Sequence, residues 1–285
     1  MVQRLCIIGV GLIGGSLARA LKAAGVVGEV IGYGRDAAQL QLAVELGVID
    51  RAETDMAAAL SGADVVVLAI PVGAMESMLC AMAQHLGADT IVTDVGSTKG
   101  SVVTAAERAF GAVPPRFVPG HPIAGTERSG VAASFAELYH KRRVILTPLL
   151  HTDPAAVAVV RALWQAAGAE VVEMAVQHHD EVLAATSHLP HVLAYTLVDT
   201  LARMEEHTEI FRFAAGGFRD FTRIASSDPR MWHDICLANR EAILKVLDRY
   251  AADLAAVRGA IERGDGAALL HTFGRAKKAR DEFKQ

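Results

Sequence analysis

The chain is poor in features that would each point to a definite class of protein. It carries three cysteines, Cys6, Cys80 and Cys236, in 285 residues, and no two stand at a metal-binding or redox spacing. A disulfide framework is therefore not expected. Cys6, inside an apolar run, reads as a small buried hydrophobe in a reducing compartment. No apolar stretch approaches the ~20 residues that span a bilayer, and no signal peptide precedes the first apolar run, so a cytoplasmic protein without a membrane partner is expected. Positive charge is not in excess. The formal net charge of -4 leaves no basic footprint for nucleic acid. Internal repeats and low-complexity segments are also missing. What the chain has in quantity is apolar side chains, 52% of the total, which at this length suits two well-filled cores.

One more absence is informative because of what surrounds it. Leu5-Cys6-Ile7-Ile8 reads as a buried strand, Gly9-Val10-Gly11-Leu12-Ile13-Gly14 as a tight turn, and Gly15-Ser16-Leu17-Ala18-Arg19-Ala20-Leu21 as the start of a helix. Strand, glycine turn and helix N-terminus together form a cradle for the pyrophosphate of a dinucleotide. The next strand, Glu29-Val30-Ile31-Gly32-Tyr33, should end in an acid that binds the ribose 2′-hydroxyl of NAD, yet it ends in Gly34-Arg35. A small residue followed by a guanidinium suits the 2′-phosphate of NADP, which favours NADP over NAD. The alternative is that Arg35 is a solvated loop residue and Asp36 takes the ribose.

Strand and helix signals alternate to about residue 175. Ala37 to Leu46 has helical spacing and ends at Gly47. Asp64 to Ile70 is an apolar run stopped by Pro71, as in a parallel strand buried on both faces. Met75 to His85 reads as a helix and Thr90 to Asp94 as a strand. Phe117 to Pro122 and Arg143 to Thr147 follow, then the helical Pro154 to Ala167 and a last strand, Glu170 to Glu173. Beyond that point strand signals vanish, and helical spacing is broken only by two expected loops, Gly216 to Phe221 and Ser226 to Pro229. The fold class expected is α/β, a Rossmann-type, mostly parallel sheet over 1–175 followed by an all-helical domain over 176–285. A substrate would sit between the domains at the carboxyl ends of the strands.

Candidates for chemistry cluster at those ends. Ser97 follows Asp94-Val95-Gly96 at a strand-to-helix turn, and His121 lies in Pro119-Gly120-His121-Pro122, whose backbone is stiff. Oxidation of an alcohol needs a base for the hydroxyl proton, a task suited to histidine near neutral pH, although His121 could also bond its own loop. In the helical half, Asp180, Ser187 and His191 fall on one helical face. His179 and His188 are nine residues apart, on opposite sides of a straight helix, and share a cavity only if Pro190 or domain packing re-aims one. The run lacks a His-Glu-x-x-His arrangement, so no metal is expected. Arg219, Arg223 and Arg230, near glycines in an acidic chain, suggest carboxylate capture, with interhelix ion pairs as the alternative. Trp232 reads as a core or dimer residue.

On five segments taken in order, Gly9 to Ser16, Asp94 to Gly100, Gly120 to Gly130, His179 to His191 and Gly216 to Trp232, the chain resembles the prephenate/arogenate (cyclohexadienyl) dehydrogenase family of tyrosine biosynthesis. The resemblance implies oxidative decarboxylation: hydride leaves the hydroxyl-bearing ring carbon for NAD(P), carbon dioxide is lost, and the ring becomes aromatic. By that likeness His121 polarises the hydroxyl, Ser97 orients His121 and the nicotinamide, and Arg223 holds a substrate carboxylate. His179 and His188 lie near the substrate, and Glu127 lies at the cleft mouth. Gly9, Gly11, Leu12, Ile13, Gly14, Arg35, Ile70, Pro71 and Asp94 are the cofactor contacts implied. A homodimer through the helical domain is implied as well. With no length left for a fused mutase or regulatory domain, any feedback by tyrosine is expected at the active site itself. Between the two substrates the expectation leans to dual specificity with a preference for arogenate. The rivals are another two-domain hydroxyacid dehydrogenase or imine reductase, and a non-catalytic NADP sensor.

Overall fold

The computed structural model describes residues 1–126 and 128–283. Its first half is β1 (Val2–Ile8), α1 (Leu12–Ala23), β2 (Val27–Tyr33), α2 (Ala37–Glu45), β3 (Arg51–Glu53), α3 (Met56–Leu60), β4 (Val65–Leu68), α4 (Met75–Met82), β5 (Ile91–Asp94), α5 (Gly100–Phe110) and β6 (Phe117–Val118). The six strands form one sheet in the order β3-β2-β1-β4-β5-β6, and every neighbouring pair is parallel. β1 lies between β2 and β4, so the strand order reverses there and a crevice opens beyond the strand ends. β3 was not legible in sequence. It is an edge strand of Arg51, Ala52 and Glu53, too short and too charged to leave an apolar run.

The continuous apolar runs are explained by two cores. Leu5, Ile7, Val65 and Val67 pack on one face with Leu17, Leu21, Val160 and Trp164. Cys6, Ile8, Val66 and Leu68 pack on the other with Leu60, Leu79 and Val102. Successive strand residues point to opposite faces, and here both faces are covered.

A second, three-stranded sheet follows: β7 (Gly120–Pro122), β8 (Arg143–Leu146) and β9 (Glu170–Glu173), with α6 (Pro154–Ala166) leading from β8 to β9. β7 runs antiparallel to β8, and β8 parallel to β9. His121 is therefore a strand residue, paired with Ile145, rather than part of a loop.

The rest is helical: α7 (Val176–Leu183), a π turn at Ala184–His188, α8 (Leu189–Ala202), α9 (His207–Arg212), α10 (Gly216–Thr222), α11 (Pro229–Ala238), α12 (Arg240–Glu262) and α13 (Gly266–Phe283). One expected loop is corrected here. Gly216 to Phe221 forms α10, because the two glycines occupy its first positions and the residues after them are ordinary helix formers, with Thr222 Oγ1 bonding back to the Phe218 carbonyl. The other break is real: Asp228 accepts hydrogen bonds from the Arg230 and Met231 N–H groups, and Pro229 opens α11. By compactness the chain forms two units, 1–240 and 241–285. No helix among the described residues is long and apolar enough to cross a membrane.

Candidate active site

The turn after β1 has the shape that a pyrophosphate requires. Gly9 has φ +95°, and a Cβ there would collide with the Ala69 carbonyl; one on Gly14 would collide with the Gly9 carbonyl. Gly11 precedes α1 with no side-chain cap, and the first intrahelical bond runs from Gly15 N–H to Gly11 O. The N–H groups of Leu12, Ile13 and Gly14 thus precede the helix's own ladder and suit an anion. A groove of about 1000 Å³ opens beside this turn, lined by Gly9, Tyr33, Gly34, Arg35 and Asp36 on one side and by Ile70 and Pro71 on the other. The Asp36 carboxylate caps α2, accepting from Ala38 N–H at 3.0 Å and Gln39 N–H at 3.1 Å.

At the end of β5 lies a buried polar network. Asp94 is fully buried and forms an ion pair with Lys99, itself fully buried. Its oxygens also accept from Gly96 N–H at 2.7 Å and Gly120 N–H at 3.1 Å, while Lys99 Nζ donates to the Gly120 carbonyl at 2.6 Å. Asp94, expected as a cofactor contact, is thus committed to fastening β7 to the loop after β5. Burial lowers the Lys99 pKa, and the Asp94 charge opposes that shift.

The next residue, His121, sits on this fastening. Its Nδ1 lies 2.9 Å from His179 Nε2, and the rings meet edge to face at 5.1 Å. His179 Nδ1 lies 2.8 Å from Asp180 Oδ1, and the Asp180 oxygens accept from the N–H groups of Lys99 and Gly100, each at 2.8 Å. Among the described residues the partner of the His121 ring is His179, and Ser97, half-buried on the loop between β5 and α5, makes no hydrogen bond to it. Burial drives the His121 pKa well below 6.5, helped by the neighbouring His179, Lys99 and His188. Burial also lowers His179, with Asp180 resisting. Burial would raise Asp180, but hydrogen bonds from His179, Lys99 and Gly100 outweigh it and hold the carboxyl below its usual range.

The π turn explains how His188 joins this group. It inserts one residue into the helical path, about 100° of rotation, so residues nine apart no longer oppose one another. The same turn breaks the expected face of Asp180, Ser187 and His191. Asp180 meets α5, while His191 bonds the Ser187 carbonyl at 2.9 Å and stacks on Trp232 at 3.6 Å. His188 is buried with a pKa pushed down to about 4, chiefly by burial. Asn239 Nδ2 donates to the Asp180 carbonyl at 2.8 Å and meets His188 Nδ1 at 3.1 Å. Because a carbonyl only accepts, the Asn239 amide is fixed, His188 Nδ1 accepts, and His188 Nε2 carries the proton. That Nε2–H and the Trp232 Nε1–H are buried with no hydrogen-bond partner among the described residues. A buried donor of this kind costs stability unless an acceptor, a water or a ligand oxygen, meets it.

Comparison with known proteins decides the affiliation. Residues 17–173 match the model for the prephenate dehydrogenase nucleotide-binding domain, and residues 175–275 the model for its dimerization domain. The chain belongs to the prephenate dehydrogenase family. It is 43% identical to a cyclohexadienyl dehydrogenase of Zymomonas mobilis, over 99% of this chain and 96% of that protein. It is 40% identical to the prephenate dehydrogenase of Bacillus subtilis, over 99% and 76%. Its fold matches a crystal structure of prephenate dehydrogenase from A. aeolicus in complex with hydroxyphenyl propionate and NAD+, with a TM-score of 0.93, 39% identity and 99% of both chains covered. Synechocystis arogenate dehydrogenase is more distant, with a TM-score of 0.83 and 28% identity over 99% of this chain and 100% of that one.

Within this family member the expected base and substrate-binding residues separate into three groups. His121, His179 and His188 come together. Arg223 opens the short turn Arg223–Ser226, solvent-exposed, and its charge adds to burial in lowering the His191 pKa. Glu127 lies outside the described residues. The sequence reading missed Lys99 and Asn239. A lysine two residues beyond a candidate serine carries no mark of burial, and Asn239 ends α11 some fifty positions from the histidine that it orients.

Three buried neutral histidines make stability depend on acidity. Unfolding lets His121, His179 and His188 take up protons at their ordinary pKa near 6.5, which the folded state resists. The unfolded chain binds more protons below that pH, so stability is full above it and is lost as pH falls, by up to about 1.4 kcal/mol per pH unit for each group. The urea midpoint is expected to fall steeply between about pH 7 and about pH 5; a midpoint flat across that interval contradicts the neutral assignment.

Proposed function

We propose that the protein oxidises and decarboxylates prephenate, arogenate or both, passing hydride to NAD(P) and yielding 4-hydroxyphenylpyruvate or tyrosine in tyrosine biosynthesis. The observation that carries this reading is His121: a buried imidazole held neutral, tied down on one ring nitrogen, one residue after Gly120, whose N–H is bonded to Asp94 at the carboxyl end of β5. A base there takes the proton of the ring hydroxyl as the carbon beneath it is oxidised, and returns it to the phenolate oxygen once carbon dioxide has left. Bound NAD(P) supplies the hydride acceptor. Ser97 lies on the loop between β5 and α5, where the family resemblance sets it beside the nicotinamide, and Arg223 fits the substrate carboxylate. Because aromatisation drives the reaction, the protein's task is mainly alignment, proton transfer and anion binding. His188 Nε2–H fits an acceptor oxygen of the substrate, and the family resemblance gives Glu127 a place at the cleft mouth.

For the cofactor we favour NADP. Asp36 is engaged in capping α2, while Arg35 lies exposed on the groove. A Cβ at Gly34 would come no closer than 3.6 Å to Leu40, so contact at the first side-chain atom does not dictate glycine there. The family's A. aeolicus complex holds NAD+, which keeps NAD as the second reading. A functional division near residue 175, a homodimer through the helical half, product inhibition by tyrosine and a cytoplasmic location belong to the same reading.

The test is a set of initial rates with prephenate or arogenate, each with NAD or NADP. NADP is expected to support turnover, and Arg35→Ala to lower kcat/KM for NADP by at least about tenfold while changing that for NAD little. Turnover with NAD alone refutes the Arg35 assignment, and no turnover in any combination refutes the enzyme.

A further inference from the structure

His121 can act as a base only if its free nitrogen carries a lone pair. A neutral histidine holds one proton on one of two nitrogens, and the second nitrogen's environment decides which. The chain of contacts leaves no choice. Asp180 accepts two backbone N–H bonds, and its Oδ1 also faces His179 Nδ1 at 2.8 Å; a carboxylate only accepts, so His179 Nδ1 carries the proton. His179 Nε2 is then bare. It faces His121 Nδ1 at 2.9 Å, so that nitrogen must donate, and His121 Nε2 is left with the lone pair.

We propose that Asp180 and His179 are positioning residues that fix the tautomer and aim of His121. The inference rests on the base role proposed above and adds what sets it. Asp180 has a second duty, because its bonds to Lys99 N–H and Gly100 N–H tie the end of the Ser97 loop to the same relay. One carboxylate thus registers the base on β7 against the loop that carries Ser97. His179, fully buried, then works behind His121 rather than as a substrate contact, the role that the family resemblance suggested for it.

The experiment compares His179→Phe, which cannot accept a hydrogen bond, with His179→Gln, whose amide oxygen can. Rates are measured with prephenate or arogenate and with NADP or NAD, whichever pair the native enzyme turns over fastest, together with cofactor affinity and thermal unfolding. His179→Phe is expected to lose at least about 100-fold in kcat with KM and cofactor affinity within about twofold, and His179→Gln to recover to within about tenfold of the native value. A wrong tautomer removes the base without removing the binding site, which is why the loss falls on kcat. Ring-nitrogen NMR of the histidine-labelled native protein provides the second measurement and holds even if a variant fails to fold. His121 should read as protonated at Nδ1 and bare at Nε2. A proton on Nε2, a His179→Phe kcat within about threefold of native, or a glutamine variant no better than the phenylalanine one overturns the proposal. If His121→Asn is itself unimpaired, the base role fails instead, so the two failures are distinguishable.

Discussion

Replacing His121 with asparagine is expected to lower kcat by about 10³-fold while leaving KM and the melting temperature little changed. The size follows from what the residue does. General-base catalysis contributes on the order of 10² to 10⁴ in rate, and no second group in the network can substitute. His179 is bound on both nitrogens, and His188 presents a proton rather than a lone pair. Asparagine keeps a polar group at the position and can still face His179 Nε2, so the buried network is not left with an orphan. The pH profile is the companion measurement. Burial holds the His121 pKa well below 6.5, so the base is already deprotonated across the neutral range. kcat/KM should therefore be flat down through pH ~6.5 and fall only as the pH drops through the lowered value. A kcat within tenfold of native, or an acid limb centred above pH ~6.5, would sink the assignment of the base.

The second large effect concerns stability. Lys99→Met should destabilise the fold by about 3–5 kcal/mol, because it strands the Asp94 carboxylate in a fully buried site. In a domain of this size that corresponds to a drop of about 10 °C in melting temperature. The loss will also reach the chemistry. Lys99 Nζ holds the Gly120 carbonyl, one residue before His121, so the strand carrying the base loses an anchor. Adding Asp94→Asn to Lys99→Met removes the stranded charge and should restore much of the stability, because breaking a buried pair on one side is worse than removing both charges. A single variant that melts within about 2 °C of native, or a double variant no better than the single, would contradict the picture of a fully desolvated pair.

The dinucleotide half was legible in the sequence because its signals are local. Gly9 and Gly14 are required by contacts within the β1–α1 turn and with the adjoining strand end at Ala69, and each buried strand is an unbroken apolar run. The edge strand β3 leaves no sequence signal because an edge needs no apolar face, and α10 reads as a loop because two glycines open it. The histidines were legible as residues but not as a site. Their nine-residue spacing placed His179 and His188 on opposite sides until the π turn, which has no sequence mark of its own, rotated one toward the other.

What the sequence by itself determined is the architecture, the cofactor cradle and, through five ordered motifs, the family. These depend on backbone conformation and hydrophobic period, which neighbouring residues specify. The tertiary structure alone decided which groups share protons. Asp180 reaches Lys99 and Gly100 across some eighty residues, His121 meets His179 across fifty-eight, and Asn239 orients His188 across fifty-one. A hydrogen bond in a buried network is fixed by distance and by the one proton that each pair can share, and a linear spacing encodes neither.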